Sequence, residues 1–511
     1  MSRVSNAIKN VKFSLFFYIL YIVVQFFARK IFLEGLGDSF IGLTATLQSF
    51  LGFLNLAELG IGTAVGFSLY KPIFKKNYEE LNNIIGLFGY LYRKIGQILI
   101  ISGIILSLFF PIIFEDVSIS LGIIYYVFFS FLISSLLGYF YNYHLFLLEA
   151  DQKSYIVASY FQSFNLIKIV VQSIIVFYFQ SFMAWITLEL IFSILYSFFL
   201  RKRIIKEYPW LWLNNDTGKA MFKKYPDIIL KVKQISAHKF GNFVTTNTDQ
   251  ILIFVFISVE SVAFFGNYQL IFGKLSSLTN TAFAGTGAGI GNLVAENNKA
   301  SIKKVFWEMM ALRFFIAGIM CITLFYVVEP FIGIWLGEKY ILDRNVFFLF
   351  LLNLFILQIR VPVDHFKDAY GLFADTWAPI TQSIINLGFS LYFVQSLGMA
   401  GILLGTLISF SLIILIWRPY YLFKHGFEIS LWGYWKEFSK LILAFILGVF
   451  LTNLIISNFP FNITSGFVGL VFYGLGVIAV ALVFYSTALL IVSSGFRDIS
   501  NRVLKIFKLK K

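Results

Sequence analysis

The sequence predicts an all-α polytopic membrane protein of about fourteen transmembrane helices, with two pseudo-symmetric six-helix lobes followed by two C-terminal helices. The composition predicts the class, because 59% of the 511 residues are hydrophobic, 13% are charged and the mean hydropathy is +0.82. Soluble domains are roughly 45–50% apolar and about 25% charged. The distribution of basic residues and an internal repeat predict the arrangement.

The helices follow from the length of the apolar runs, because a spanning helix needs roughly 20 mostly apolar residues. Fourteen segments meet this requirement: 13–33, 39–70, 95–114, 117–148, 155–180, 182–200, 233–258, 260–293, 303–328, 345–370, 377–396, 399–423, 437–457 and 464–493. Residues 78–94 are expected to form a surface helix that leads into the third span.

The basic residues predict the orientation. With a cytoplasmic N-terminus, only four of the 41 Lys and Arg residues lie in external loops: Arg29, Lys30, Lys339 and Arg344. This asymmetry is the positive-inside pattern, so both termini are expected in the cytoplasm of a multi-pass cell-membrane protein. The net charge of +15 then reflects membrane orientation, and no nucleic-acid partner is expected.

An internal repeat predicts the two lobes. Glycines 60, 62 and 66 recur as glycines 285, 287 and 291, and Leu148-Glu-Ala-Asp151 recurs as Leu372-Phe-Ala-Asp375. Both matches are offset by about six predicted spans, an even number, so the two halves are expected to have parallel topology. The alternative is chance similarity between apolar segments.

The predicted limits are an N-lobe over residues 1–200, a basic cytoplasmic linker over 201–232 and a C-lobe over 233–423. Residues 424–511 hold the last two spans and a basic cytoplasmic tail. Rocking of the two lobes is the expected motion of such a protein.

Basic residues inside the spans predict an anion-binding site. Lys168, Lys274 and Arg360 lie near the middle of three different spans, and Arg313 lies in the inner half of a fourth. A charge at a helix centre costs about 2.5–3.5 kcal/mol on insertion scales, so a phosphate-bearing ligand is expected to offset them. Uncharged polar residues expected to help bind it are Asn165, Gln172, Asn267 and Asn353.

Two of these cations have structural alternatives. Arg313 is close enough to the predicted cytoplasmic surface for its side chain to extend towards water. Lys168 is also expected to reach Glu189 of the next span, where the two would form a structural ion pair. Arg360 and Asp364 share a helical face, so Asp364 is a further candidate partner.

Acidic residues inside the spans have two open interpretations. Glu58 and Asp249 are candidates either for ion coupling or for holding the cations, and neither role is favoured. Cys321 is the single cysteine, and the four histidines are scattered without paired spacing. Neither a metal site nor a cofactor is expected, and no catalytic residue is assigned.

Several motifs resemble those of oligosaccharide flippases of the multidrug/oligosaccharidyl-lipid/polysaccharide (MOP) exporter superfamily, in its polysaccharide transporter branch. They are Phe53-Leu-Asn-Leu-Ala-Glu58-Leu-Gly60-Ile-Gly62, Asn247-Thr-Asp249, Gly266-Asn-Tyr268, Phe331-Ile-Gly-Ile-Trp335-Leu-Gly337, Asn386 and Gly398-Met-Ala-Gly401. The resemblance implies transport of undecaprenyl-diphosphate-linked repeat units across the bacterial cytoplasmic membrane for capsule, O-antigen or exopolysaccharide synthesis. It also implies lipid-linked oligosaccharide, membrane lipids, a glycan polymerase and glycosyltransferases as partners.

Three other functions compete with this one. A cation-coupled multidrug exporter of the same superfamily would bind organic cations, which the intramembrane basic residues would repel. A major-facilitator carrier shares the six-plus-six topology but has a loop signature that residues 71–80 lack. A membrane glycan polymerase or ligase would need a sizeable external loop, and the longest here is Glu329–Arg344. The sequence therefore favours a transporter, not an enzyme.

Overall fold

The computed structural model describes residues 3–58, 61–212, 218–225, 247–283, 286–458 and 466–509. All regular secondary structure in these ranges is helical. Contacts divide the chain into two compact units, Met1–Gly266 and Asn267–Lys511. Nine described helices are long and apolar enough to cross a membrane. The predicted class is confirmed, whereas the count of fourteen spans and the lobe limits stay predictions.

The first unit is built mainly of long helices. In chain order they are α1 (Arg3–Leu54), α2 (Ile61–Lys75), α3 (Tyr78–Leu108), α4 (Phe110–Ile113), α5 (Leu121–Phe140), α6 (Leu145–Ala150), α7 (Ser154–Phe179), α8 (Phe182–Glu207) and α9 (Gly218–Lys224). A 3₁₀ turn, Asn55–Glu58, follows α1, and residues 247–256 are helical. Helix α10 (Val259–Ala282) begins in the first unit and ends in the second.

Helix α1 packs closely against its neighbours in the first unit, where small residues let them approach. A Cβ on Gly35 would lie 2.5 Å from Val176 of α7, and one on Gly42 would lie 1.8 Å from the carbonyl oxygen of Val259. The Ser49 hydroxyl also donates a hydrogen bond of 2.7 Å to Gln250. Residues 247–259, which the sequence places in the C-lobe, therefore pack within the first unit.

The second unit contains the remaining helices. They are α11 (Thr286–Ala295), α12 (Lys299–Trp335), α13 (Arg344–Ile359), α14 (Val361–Ala369), α15 (Trp377–Leu397), α16 (Met399–Ser409), α17 (Arg418–Leu422), α18 (Leu431–Asn458), α19 (Gly466–Val492) and α20 (Ser494–Leu509). π-Helical turns, Phe410–Trp417 and Phe423–Phe427, flank α17.

The C-terminal hairpin of α18 and α19 packs on α12 through Tyr485. This side chain is fully buried, and its hydroxyl donates a 2.9 Å hydrogen bond to the carbonyl oxygen of Phe314. A Cβ on Gly318 would lie 2.2 Å from the Tyr485 ring, and one on Gly448 would lie 2.7 Å from it. Two glycines thus form the notch that the ring fills.

The predicted boundaries agree with the structure in part. Residues Arg3–Leu54 form two helices that meet at Gly37, whose φ of +81° is non-helical, so the predicted separation between spans 13–33 and 39–70 is confirmed. The surface helix predicted over residues 78–94 is wrong, because this segment is the first part of α3, which is continuous from Tyr78 to Leu108. The predicted span 345–370 corresponds to one candidate membrane helix, Arg344–Ala369, with a turn at Arg360 because Pro362 has no N–H to donate to the carbonyl of Gln358.

Part of the predicted repeat and linker lies outside the described residues. Gly60 and Gly285 are in this part of the chain, and so are residues 226–246, which contain the start of the predicted seventh span. Equivalent placement of the two lobes stays a prediction.

Candidate anion-binding site

Lys168 in α7 forms an ion pair within the first unit. Its Nζ lies 2.6 Å from Oε1 of Glu189 in α8, and the two side chains are 14% and 18% exposed. Gln172, one turn after Lys168, donates to Oε2 of Glu189 at 3.3 Å and to the carbonyl oxygen of Trp185 at 3.0 Å. The expectation of an unpaired Lys168 is therefore wrong, and the alternative pairing with Glu189 is confirmed. Asn165 is half-buried one turn earlier.

Glu58 accepts hydrogen bonds from two tyrosines. The Tyr92 hydroxyl donates to its Oε1 at 2.5 Å, and the Tyr139 hydroxyl donates to its Oε2. Tyr139 also donates to Asn55, three residues before Glu58. Glu58 forms no ion pair with the Lys and Arg residues that the structure describes, so its carboxylate is held by phenols.

Asp249 presents a different environment. Its Oδ1 atom is buried and accepts no hydrogen bond from any residue in the described ranges. The adjacent Gln250 binds Ser49 of α1, which fixes this turn of the helix against α1. Neither acidic residue holds one of the predicted cations among described residues, and ion coupling stays a prediction for both.

Arg313 in α12 is the most deeply buried of the predicted cations in the second unit. The residue is 2% exposed, so its side chain does not extend to water and that alternative is wrong. Its Nη1 lies 3.4 Å from Oε1 of Gln358, and its guanidinium lies 4.4 Å from the ring centroid of Phe283. No carboxylate within the described part of the chain forms an ion pair with it.

Gln358 connects Arg313 to polar residues of α10. Its Nε2 donates to the Ser276 hydroxyl at 3.0 Å, and its Oε1 accepts from the Thr279 hydroxyl at 3.1 Å. Gln358 itself is 1% exposed. Arg313 therefore shares the neutral oxygen of Gln358 with the Thr279 hydroxyl. Most of the five N–H donors of its guanidinium have no anionic partner in the described structure.

Two arginines share one carboxylate near the junction of α13 and α14. Arg360 Nε lies 3.4 Å from Oδ2 of Asp364, and Arg418 Nη1 of α17 lies 2.7 Å from its Oδ1. The expectation of an unpaired Arg360 is wrong, and Asp364 is confirmed as its partner. Asp364 therefore contacts both guanidinium groups, one through each carboxylate oxygen.

The other predicted ligands are on neighbouring helices of this unit. Lys274 is half-buried on α10, one turn from Ser277 and two residues before Ser276. Asn267 is fully buried at the start of the same unit. Asn353 donates a 3.1 Å hydrogen bond to the carbonyl oxygen of Leu403, and this contact fixes α13 against α16.

The sequence interpretation missed five participants: Ser276, Thr279, Phe283, Gln358 and Arg418. Gln358 carried a usable signal, because it is an amide in an otherwise apolar run two residues before Arg360. Arg418 carried a signal as well, because it is a basic residue inside the predicted span 399–423.

The repeated Leu-x-Ala-Asp motif forms an ion-pair network in the first unit. Asp151 Oδ2 lies 2.6 Å from Lys153 Nζ and accepts a 2.8 Å hydrogen bond from the Tyr208 hydroxyl. Lys153 also lies 3.0 Å from Glu207. Burial by itself lowers the pKa of Lys153, but hydrogen bonds to these two carboxylates outweigh it and place the pKa above its ordinary value.

The second copy of the motif has partners of the same kind in the second unit. Asp375 Oδ2 lies 2.5 Å from Lys367 Nζ and accepts a 3.2 Å hydrogen bond from the Trp417 indole. In both units the aspartate therefore pairs with one lysine and accepts a hydrogen bond from one aromatic side chain. Tyr208 follows the sixth predicted span of the N-lobe, and Trp417 lies within the sixth predicted span of the C-lobe.

Neither a protein-family model nor a curated relative matches this sequence. An inward-facing multidrug resistance MATE family transporter of the MOP superfamily is similar with a TM-score of 0.56 at 14% identity, over 80% of this chain and 97% of that chain. A crystal structure of a MATE mutant is similar with a TM-score of 0.52 at 15% identity, over 83% and 95%. The chain therefore has the fold of these transporters.

The inward closed conformation of the lipid II flippase MurJ is similar over 97% of both chains, at 18% identity and a TM-score of 0.49. This score lies below the range that establishes a shared fold, so the fold assignment rests on the two MATE structures.

Proposed function

We propose that the protein is a flippase that moves undecaprenyl-diphosphate-linked oligosaccharide repeat units across the bacterial cytoplasmic membrane by alternating access. The product would be used for capsule, O-antigen or exopolysaccharide synthesis. The observation that carries the proposal is the buried guanidinium of Arg313, which forms no ion pair in the described part of the second unit.

The charges of the second unit favour an anionic ligand. Arg313 lies in a neutral polar environment, whereas Arg360 and Arg418 both pair with Asp364. Buried charges are costly unless they are paired and hydrogen-bonded, so Arg313 requires negative charge from another source. A diphosphate supplies several oxygens for guanidinium forks and for the ammonium group of Lys274.

The same charges argue against the multidrug alternative. An organic cation would meet the guanidinium of Arg313, which has no ion-pair partner among the described residues, and would be repelled. The glycan polymerase or ligase is disfavoured for a different reason. Helix α12 continues to Trp335 and α13 begins at Arg344, so the longest predicted external loop is shorter than expected. Such a loop offers little surface for two reacting glycans.

The proposal extends to location and partners. Both termini would be cytoplasmic, as the positive-inside pattern predicts, and the protein would lie in the inner membrane. The polyprenyl tail would stay in the bilayer while the sugars pass through a wet cavity. The glycosyltransferases of the pathway would supply the lipid-linked unit, and a glycan polymerase would consume it.

Flipping of a fluorescent polyprenyl-diphosphate oligosaccharide in proteoliposomes tests the proposal. Dithionite destroys the fluorophore only in the outer leaflet, so the rate of its loss reports transport. We expect Arg313→Ala, Lys274→Ala and Arg360→Ala each to slow flipping about ten- to a hundredfold, since a hydrogen bond to a charged group contributes about 1.5–3 kcal/mol.

The matched control is Lys303→Ala, which removes an exposed cation from the same helix as Arg313. It should flip at the wild-type rate. Arg313→Lys should be intermediate, because it keeps the charge but loses the planar fork. Wild-type flipping by Arg313→Ala, or ethidium export in place of glycan flipping, would refute the proposal.

A further inference from the structure

Asp364 contacts its two arginines in unequal ways. Arg418 Nη1 donates a 2.7 Å hydrogen bond to Oδ1 of the carboxylate, whereas Arg360 Nε lies at the longer distance of 3.4 Å from Oδ2. The Arg418 side chain is 12% exposed, and the Arg360 side chain is 31% exposed. Arg418 is therefore the closer and the more deeply buried of the two partners.

The long contact leaves the guanidinium of Arg360 largely unused. Among the described residues, Asp364 is the only carboxylate that pairs with it, and the pair involves Nε. A guanidinium binds phosphate oxygens as a fork, through two parallel N–H donors. The terminal nitrogens of Arg360 can form such a fork only while Asp364 does not draw them to itself.

The local backbone determines where Arg418 points. This residue follows the π-helical segment Phe410–Trp417, in which backbone hydrogen bonds join residues five apart instead of four. Conversion of the segment to an α-helix would narrow each turn and carry Arg418 to another side of the helix. Single π-helical turns are rare and occur frequently at functional sites. Here the segment aims a charged side chain at Asp364.

Contacts on both sides hold the π-helical segment in place. Before it, Asn353 of α13 donates a 3.1 Å hydrogen bond to the carbonyl oxygen of Leu403 in α16. At its end, the Trp417 indole donates to Asp375 at 3.2 Å, and its ring centroid lies 4.6 Å from that of Trp377. The helices that lead to the two arginines are therefore fixed to each other.

We propose that Arg418 is a positioning residue of the anion site: it occupies Asp364 and thereby keeps the fork of Arg360 free for the diphosphate. This inference rests on the proposed function. Without Arg418, the carboxylate would have Arg360 as its only partner of the two and would hold it more tightly. Its charge, no longer neutralised by Arg418, would also repel phosphate oxygens. Arg418 thus acts on the ligand through Asp364 and Arg360, without contacting it.

Calorimetric titration of the full-length protein in detergent with farnesyl diphosphate, a short polyprenyl diphosphate, tests the proposal, and farnesol is the uncharged comparison. We expect Arg418→Met to weaken binding of farnesyl diphosphate about tenfold, the effect of one hydrogen bond to a charged group. Arg418→Lys should keep most of the affinity, because it still pairs with Asp364. The double variant Arg418→Met/Asp364→Asn should bind like wild type, because no carboxylate remains to compete for Arg360.

The matched control is Lys367→Met, which removes a cation of the same 12% exposure from a different aspartate, Asp375. It should keep the wild-type affinity. An equal loss in Lys367→Met would overturn the proposal, and so would a double variant that binds no better than Arg418→Met, because Arg418 would then touch the ligand. A lower melting temperature of Arg418→Met with unchanged affinity would assign the pair a purely structural role and would also overturn it.

Two comparisons keep the test decisive. If Arg418→Met does not fold, Asp364→Asn is compared with the double variant, since neither contains the competing carboxylate. Equal affinities of these two support the proposal, and weaker binding by the double variant overturns it. A wild-type protein that binds farnesyl diphosphate no better than farnesol would overturn the anion site of the proposed function and this inference with it. A wild-type preference for the diphosphate that Arg418→Met retains in full would overturn this inference alone.

Discussion

The pair of Lys168 and Glu189 offers a direct measurement of whether an intramembrane cation stabilises the fold or binds the ligand. The perturbations are Lys168→Met, Glu189→Gln and the double variant. The 2.6 Å contact and the low exposure of both side chains mean that each single change leaves one charge inside a span without its partner. The double change removes both charges together.

The size of the effect follows from the cost of an isolated charge. An unpaired charge at a helix centre costs about 2.5–3.5 kcal/mol on insertion scales, and breaking a buried pair costs about 3–5 kcal/mol. We expect each single variant to lose about 2.5–3.5 kcal/mol. The double variant should lose less than either single one, because replacing a whole buried pair is close to neutral.

Thermal unfolding of the purified protein in nanodiscs gives the order of stability, and the flipping assay gives the function. The double variant should unfold above both single variants and should retain flipping. Additive destabilisation would refute the ion-pair interpretation. A stable double variant that no longer flips would instead assign Lys168 to the ligand site.

Three further predictions concern packing and the two aspartate networks. Gly318→Ala should lower the free energy of unfolding by about 1–3 kcal/mol, because its Cβ would meet the ring of Tyr485. In a chain that also carries Tyr485→Leu, the same Gly318→Ala change should have little further effect. An unchanged melting temperature in Gly318→Ala alone would contradict the close contact of the ring with Gly318. In a chain whose other tryptophans have been replaced, Asp375→Asn should alter the fluorescence spectrum of Trp417 at constant protein level, because the indole loses an anionic acceptor. An identical spectrum would contradict the contact. Lys153→Met should be less stable than wild type at pH 8. This difference in stability should shrink as the pH rises through the raised pKa of Lys153, because the wild-type protein then loses the charge. A difference in stability that grows with pH would contradict the pairing.

Composition and the length of the apolar runs were sufficient to predict the helical membrane class. The apolar runs are long and the chain offers few alternatives in a bilayer, where backbone groups must be satisfied within helices. Helix limits were predictable where polar residues separate the apolar runs, as at Glu34–Ser39 around the non-helical Gly37. They were less predictable where a helix continues through a polar segment, because α3 begins at Tyr78 although the apolar run begins only near residue 95.

The residues of the candidate site were easier to predict than their partners. A charge inside a span stands out in any sequence, so Arg313 and Arg360 were found by depth alone. Their surroundings depend on which turns of two helices face each other, and the spacing along one chain does not specify this. Gln358 therefore remained hidden, and the choice between a paired and a free Lys168 stayed open until Glu189 was located.

The aspartate networks also bear on how the protein is made. Asp151 finds Tyr208 only 57 residues further along the chain, and Asp375 lies 42 residues before Trp417. Each contact closes within its own unit, so neither has to wait for the other unit to be synthesised. The first network can form once Tyr208 has left the ribosome, before Asn267, where the second unit begins, has been translated. Insertion into the membrane would then proceed unit by unit, with the Asp151 network of the first unit already formed when the first helices of the second unit enter the bilayer.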